Sequence, residues 1–204
     1  MLVDAIEPEL LTLEENPTWD IVPCLPPVKP LGSKFVFTIK LHSDGSIDRY
    51  KAILVVFGNK QKFGLDYEET FAPMAKMTNV RIILAITTSE SWKIHQLDVK
   101  NVFLHGDLKE EVYIKLLNGM SSPLHDTICK LKRSLYGLKQ VPRVWFEKFR
   151  TTLLGFSFLQ SSYDPSLFFQ RNSKGIVMLL VYVDDIVITG SNKKGYHYNQ
   201  RIVT

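Results

Sequence analysis

The sequence lacks the features that mark membrane and secreted proteins. Its longest apolar run, residues 176–183, is far shorter than the roughly 18–20 residues that a membrane span needs, and two aspartates follow it. The first residues show no basic region followed by a long apolar core, so no secretory signal is predicted. Only two cysteines occur, Cys24 and Cys129, without zinc spacing or a disulfide framework. We therefore expect a protein of the cytoplasm or nucleus that is not secreted and has no membrane partner.

Several common catalytic motifs are also absent. There is no Gly-x-Ser-x-Gly, no Gly-x-x-x-x-Gly-Lys-Ser/Thr loop and no His-Glu-x-x-His helix, which argues against nucleophile-elbow hydrolases, P-loop nucleotidases and zincin proteases. The chain has 204 residues, of which 45% are hydrophobic and 23% charged, enough for one domain or two small subdomains. Any catalytic site must therefore be built from other residues.

The charge is distributed unevenly along the chain. Residues 1–20 carry six acids and no Lys or Arg, whereas residues 129–150 carry seven bases against Glu147 alone. The basic stretch could follow a phosphate backbone. A charged helix face exposed to water would explain the same residues.

Two adjacent acids interrupt the most apolar part of the chain. Residues 179–190 consist of two runs rich in Val, Ile and Leu on either side of Asp184 and Asp185. Such runs predict strand, tight turn and strand, with the acids at or beside the tip of a hairpin. Asp-Asp is a poorer tight turn than Asp-Gly, so turn chemistry alone does not explain the pair. A solvated hairpin tip is the alternative, because Asp is common in turns.

A third acid lies in another predicted strand, residues 92–99. Leu97 and Val99 flank Asp98, and a carboxylate between apolar strand residues usually has a cation beside it. If this strand neighbours the acidic hairpin, Asp98 and Asp184 converge. Two carboxylates can hold a pair of divalent cations about 3.5–4 Å apart for phosphoryl transfer, and hard oxygen ligands suit Mg²⁺.

The remaining pattern mixes helices and strands without strict alternation, which favours an α+β fold. A short helix over residues 7–15 is expected to end at Asn16 in the left-handed conformation. The other predicted elements are a hairpin of strands 34–41 and 47–57, a helix over 78–91, a helix from Pro142 to Gly155, and strands at 156–159 and 167–171.

Two motifs resemble those of reverse transcriptases from copia-type retrotransposons. Tyr-Val-Asp-Asp at 182–185 is similar to the active-site signature of reverse transcriptases, and residues 96–106 resemble the first catalytic motif of the copia-type polymerases. The other matching stretches are residues 49–52, 66–73, 111–114 and 135–143. The similarity extends from Trp19 to Asn192, nearly the whole chain.

The resemblance implies an α+β fold of reverse-transcriptase-type fingers and palm, with an antiparallel palm sheet, truncated before the thumb. It divides the chain into an N-terminal helical lead-in at 1–18, fingers at 19–91 and 112–141, a palm at 92–111 and 142–192, and a frayed tail at 193–204. The implied activity is RNA-directed DNA polymerisation onto a primer 3′-hydroxyl. The implied partners are an RNA or DNA template with primer and deoxyribonucleoside triphosphates, and the cofactor is two Mg²⁺ ions, with Mn²⁺ as a substitute.

The resemblance also implies roles for particular residues. Asp98 and Asp184 would bind both metals, and Asp185 would support the site or ligate more weakly. Phe103 would lie against the sugar of the incoming nucleotide and exclude a 2′-hydroxyl, unless it is a core phenylalanine. The implied nucleotide contacts also include Lys51, Gln140 and Arg143, and the implied nucleic-acid contacts are Lys130, Lys132, Arg133 and Lys139.

The sequence departs from the family pattern at two places. Ile53 and Phe57 stand where the pattern has cations, which weakens the expected contact with the triphosphate. The sequence also ends soon after the acidic hairpin, so we expect residues 1–204 alone to show no processive synthesis. A decayed element with at most weak nucleic-acid binding is the alternative, and an unrelated metal-dependent nuclease or phosphatase would use similar carboxylates.

Overall fold

The computed structural model describes residues 3–99, 106–117 and 126–192, and it shows a mixed α/β chain whose named strands pair antiparallel. The helices are α1 (Ile6–Glu15), α2 (Met77–Ser89) and α3 (Val141–Gly155), with 3-10 turns at Val3–Ala5 and Gly58–Lys60. The strands are β1 (Trp19–Pro23), β2 (Ser33–Leu41), β3 (Ile47–Val56), β4 (Ile94–Asp98), β5 (Tyr113–Lys115), β6 (Thr127–Leu131), β7 (Leu159–Gln160), β8 (Leu167–Asn172), β9 (Gly175–Tyr182) and β10 (Asp185–Gly190).

The first of two compact units comprises Met1–Thr70 and Phe103–Val144. It contains α1, the β2–β3 hairpin and a sheet in the order β1-β6-β5. Its core is a cluster of buried apolar side chains: Leu13, Leu31, Leu54, Val56, Val112, Ile114, Leu117, Cys129, Leu131, Leu135, Leu138 and Val141. Burial of this cluster supplies the main stabilising free energy, on the order of 25 cal/mol per Å² of apolar surface removed from water.

A glycine contact joins two segments of this unit. A side chain on Gly58 would collide with the Gly137 carbonyl, and one on Gly137, whose φ is +92°, would collide with Val56. The Val56 amide donates to the Tyr136 carbonyl at 2.8 Å, so the end of β3 runs in direct backbone contact with residues 136–137. Only glycine permits so close an approach.

The second unit comprises Phe71–Val102 and Trp145–Thr204. Its sheet has the order β4-β10-β9-β8-β7. Phe168 on β8 meets the rings of Phe146 and Phe149 at centroid distances of 6.1 and 5.9 Å, so α3 packs on the face of the sheet that carries Phe168. That burial fixes the sheet on which the acidic hairpin is built.

The unit bounds differ from the predicted fingers and palm bounds in three segments, the shortest of which is residues 142–144 at the start of α3. Residues 71–91 group with the five-stranded sheet, because the Ala75 amide donates to the Val181 carbonyl at 3.2 Å and Asn79 donates to Asp164. Residues 106–111 group with the first unit, where the Leu108 amide donates to the Lys132 carbonyl at 3.0 Å. Which parts act as fingers and palm stays a prediction, and the predicted tail at 193–204 lies outside the described residues.

Most predicted elements are confirmed, and two details are wrong. Asn16 ends α1 but has φ −96°, not a left-handed value. Residues 156–158 do not form a strand, because their amides bond to carbonyls of the last turn of α3, and Ser157 takes a φ of +62°. This is how a helix end satisfies its last carbonyls, so the strand begins only at Leu159. In the described part of the chain, no helix has the length and apolar character to span a membrane.

Candidate active site

The acidic motif lies at the turn between β9 and β10. Tyr182 ends β9, Asp185 begins β10, and the two residues are register partners, so Val183 and Asp184 form the turn. The prediction that the acids lie at or beside a hairpin tip is confirmed. The turn consists of one aspartate and the valine before it, and not of the aspartate pair.

The turn is strained at Val183, whose φ is +55°. Two-residue hairpin turns with positive φ at the first central position normally have glycine there, and a β-branched residue in this region is an outlier. Strain of this kind persists when neighbouring contacts fix the backbone, and it is common at functional sites. Here the Trp145 indole donates to the Val183 carbonyl at 3.0 Å, and the Val99 amide donates to the Asp184 carbonyl at 3.0 Å.

The neighbouring strand brings Asp98 to the same place. β4 pairs antiparallel with β10, and Asp98 is the register partner of Asp185. Directly opposed residues share one face of a sheet, with Cβ atoms about 4.5–5.5 Å apart. Gln96, two residues before Asp98, donates from Nε2 to Asp185 Oδ1 at 2.8 Å. The predicted adjacency of the two strands is confirmed, and the acid directly opposite Asp98 is Asp185, while Asp184 lies in the turn.

Asp98 and Asp185 would suit a metal site that takes only two carboxylates from the protein. Within residues 3–99, 106–117 and 126–192, no three His, Cys, Asp or Glu side chains form a cluster that could hold a metal ion. Mg²⁺ at phosphoryl-transfer sites usually binds one or two carboxylates and takes its other ligands from substrate phosphates and water. The opposed pair of Asp98 and Asp185 therefore fits Mg²⁺ that arrives with a nucleotide. The assignment of Asp98, Asp184 and Asp185 as metal ligands stays a prediction.

Two of the predicted nucleotide contacts, Gln140 and Arg143, hold separate segments of the first unit together. Gln140 is fully buried; its Nε2 donates to the Asp66 carbonyl at 3.1 Å and its Oε1 accepts from Gln61 Nε2 at 3.0 Å. Arg143 donates from Nε to the Glu69 carbonyl at 2.9 Å and forms an ion pair with Glu110. Both side chains therefore hold residues 61–69 and 110 against the start of α3. Their contact with a nucleotide stays a prediction.

The predicted nucleic-acid contacts are already engaged with other groups. Lys130 pairs with Glu111, Lys132 with Asp20 at 2.7 Å and Arg133 with Asp107. The hydrogen bond to Glu111 raises the pKa of Lys130, and the same bond lowers the pKa of Glu111. Lys139 Nζ lies 4.8 Å from the centre of the Tyr67 ring and donates to its hydroxyl at 3.2 Å. These cations offer less free charge than the sequence suggests.

The last two predicted nucleotide contacts, Lys51 and Phe103, stay predictions. Lys51 is half-buried on β3 opposite Thr38, near the Glu9 carboxyl, whose pKa is raised by burial and held back by the Leu54 amide and Lys51. Phe103 lies outside the described residues.

Sequence reasoning missed four residues that support these groups. They are Gln96 beside Asp185, Trp145 on the turn, Gln61 beside Gln140, and Glu110 beside Arg143. One signal was available: Gln96 lies two residues before Asp98 and so on the same face of the strand. The other three depend on contacts between distant segments, which no local pattern shows.

Carboxylates on neighbouring antiparallel strands are compatible with a site that transfers phosphoryl groups with divalent metals. Residues 16–199 match the family described as reverse transcriptase (RNA-dependent DNA polymerase). Among curated proteins, the chain is 48% identical over 87% of its length to the retrovirus-related Pol polyprotein from transposon RE2 of Arabidopsis thaliana. It is 47% identical over 89% to that of transposon RE1 from the same plant, and 42% identical over 94% to that of transposon TNT 1-94 of Nicotiana tabacum.

The chain therefore belongs to the reverse transcriptase family, in the group found in Pol polyproteins of copia-type transposons. It spans 12%, 13% and 15% of the lengths of these three relatives. The matches do not favour the alternative of a decayed remnant.

Proposed function

We propose that this chain carries the nucleotidyl-transfer centre of an RNA-directed DNA polymerase. It would extend a primer 3′-hydroxyl on an RNA or DNA template with deoxyribonucleoside triphosphates. The observation that supports this most directly is the opposition of Asp98 and Asp185 beside the Val183-Asp184 turn. Membership of the family supports the same reaction class.

The chain's own residues would position the reacting groups. Asp98, Asp184 and Asp185 would hold two Mg²⁺ ions, or Mn²⁺ in their place. When bound, such ions lower the pKa of the primer hydroxyl and neutralise charge on the triphosphate. Gln96 fixes the Asp185 carboxylate, while Trp145 and Val99 hold the turn that carries Asp184. Because the nucleophile belongs to the primer, the chain needs no nucleophilic side chain.

Metal binding tests this proposal without depending on how a primer is held. Wild-type chain should bind Mn²⁺ in the presence of a deoxyribonucleoside triphosphate, measured by electron paramagnetic resonance as loss of the free-ion signal. Asp98→Asn and Asp184→Asn should each weaken binding at least tenfold, because each removes one charged ligand. Glu14→Gln, an exposed acid on α1, is the matched control and should bind like wild type.

The catalytic arm uses a Pol polyprotein segment that contains this chain. Asp184→Asn should abolish addition of the complementary nucleotide to a primer while leaving template binding intact. Retained nucleotide addition by that variant, or Mn²⁺ binding by Asp98→Asn equal to wild type, would refute the assignment of the site.

A further inference from the structure

The Asp185 carboxylate has one hydrogen-bond donor among the described residues, the side-chain amide of Gln96. Gln96 Nε2 donates to Asp185 Oδ1 at 2.8 Å. Gln96 lies two residues before Asp98 on β4, so both side chains share one face of the sheet. The register partner of Gln96 is Val187, so Asp185 is a diagonal neighbour within reach of a long side chain. This hydrogen bond fixes the rotation of the Asp185 carboxylate.

The carboxylate needs a donor because a second carboxylate lies opposite it. Asp98 and Asp185 are register partners, and like charges directly opposite each other destabilise a strand pair. Within residues 3–99, 106–117 and 126–192, neither acid forms an ion pair with Lys, Arg or His. Asp98 and Gln96 are exposed, so water and salt screen the repulsion without removing it. Gln96 therefore supplies the stabilising contact that a cation would otherwise supply.

The donor at position 96 is neutral, and this decides what the acid pair can attract. Glutamine donates hydrogen bonds without carrying a charge, whereas lysine would bring a positive charge to the same place. An amide therefore holds Asp185 and leaves the negative charge of the pair intact. A lysine would hold Asp185 as well, but it would repel a divalent cation.

We propose that Gln96 is a positioning residue, which orients the Asp185 carboxylate towards a divalent cation without neutralising it. The inference rests on the proposed function, because the cation is the one that the proposed reaction uses. It also makes the three acids unequal. Asp185 is restrained at Oδ1, whereas in the described part of the chain no hydrogen bond reaches the carboxylate of Asp98 or Asp184.

The test compares variants of Gln96 in two measurements. One is the melting temperature in EDTA, followed by circular dichroism, which reports on the metal-free chain. The other is Mn²⁺ binding in the presence of a deoxyribonucleoside triphosphate, followed by electron paramagnetic resonance. Gln96→Met keeps the length of the side chain and removes the donor. It should lower the melting temperature by about 2–4 °C, as expected for one exposed hydrogen bond to a charged group, and weaken Mn²⁺ binding about three- to tenfold.

Gln96→Lys separates orientation from charge. Its ammonium group would pair with Asp185, so the melting temperature in EDTA should equal or exceed that of wild type. The added positive charge should nevertheless weaken Mn²⁺ binding at least tenfold. A residue with a purely structural role would change stability and Mn²⁺ binding in the same direction.

Gln170 on β8 provides the matched control. Its amide also donates an exposed hydrogen bond, to the Phe156 carbonyl at 2.8 Å, and β8 belongs to the same five-stranded sheet. Gln170→Met and Gln170→Lys should each change Mn²⁺ binding less than twofold. The double variant Gln96→Met/Asp185→Asn should bind Mn²⁺ within twofold of Asp185→Asn alone, because Gln96 acts only through Asp185.

Three results would overturn the inference: Mn²⁺ binding by Gln96→Met and Gln96→Lys within twofold of wild type, equal losses in the Gln170 controls, or a loss from Gln96→Met that persists in the Asp185→Asn background. If wild type binds Mn²⁺ and the Gln96 variants match it, the proposed function stands and the role of Gln96 is wrong. If wild type binds no Mn²⁺, the proposed function is wrong, and so is orientation towards a cation. The melting temperatures in EDTA then still decide whether Gln96 restrains Asp185.

Discussion

Replacing Arg143 should lower the free energy of unfolding, whether or not a nucleotide is bound, because Arg143 forms a largely buried ion pair with Glu110. Its side chain is 18% exposed, that of its partner Glu110 is 16% exposed, and the second carboxylate oxygen of Glu110 has no hydrogen-bond partner among the described residues. Arg143→Gln would leave that buried carboxylate without its counter-charge. Removing one member of a buried ion pair typically costs 3–5 kcal/mol, and we expect about 3 kcal/mol because the pair retains some solvent access.

The measurement is urea denaturation and thermal unfolding followed by circular dichroism. For a chain of this size, about 3 kcal/mol lowers the melting temperature by roughly 6–12 °C. The double variant Arg143→Gln/Glu110→Gln should recover most of the loss, because it buries no uncompensated charge. Lys130→Gln, which breaks the exposed pair with Glu111, should cause no measurable change.

A cost below about 1 kcal/mol for Arg143→Gln, or a double variant no more stable than the single one, would contradict a stabilising role for this ion pair. If Arg143 only binds a nucleotide and has no structural role, Arg143→Gln should cost less than about 1 kcal/mol of stability and should weaken nucleotide binding. The experiment therefore separates the two roles of Arg143.

Two further outcomes follow from the backbone and from a buried thiol. The free energy of unfolding of Val183→Gly should exceed that of Val183→Ala by about 1 kcal/mol in urea denaturation, because only glycine takes the turn's positive φ without strain. Equal free energies of unfolding would show that the turn relaxes. Burial raises the pKa of the Cys129 thiol from 9.0 to about 11, so the folded state favours the neutral thiol. The stability that this preference contributes is therefore complete below pH 9 and is lost as the pH rises towards 11. Urea denaturation from pH 8 to 11 should show this loss in wild type and not in Cys129→Ala, and the same loss in both would assign it to other groups.

Local sequence patterns predicted the elements that carry the site. Alternation and turn residues predicted the β2–β3 hairpin, and the apolar runs around Asp184 predicted the strands of the acidic hairpin. They could not predict which residue faces Asp98. That register depends on pairing between strands distant in sequence, and a shift of one residue changes which side chains share a face.

Charge was the least predictable property. The row of bases at 130–133 looked available in sequence, yet Asp20, Asp107 and Glu111 meet it in the folded unit. Gln140 similarly looked like a ligand and is buried against Gln61. Whether a polar side chain is free depends on long-range contacts, which a motif does not contain.

The backbone contact between Gly58 and Gly137 restricts which substitutions this fold tolerates. Any missense change at either glycine introduces a side chain that collides with main-chain atoms, which cannot move aside as a flexible side chain would. Related chains that keep this fold are therefore expected to keep glycine at both positions.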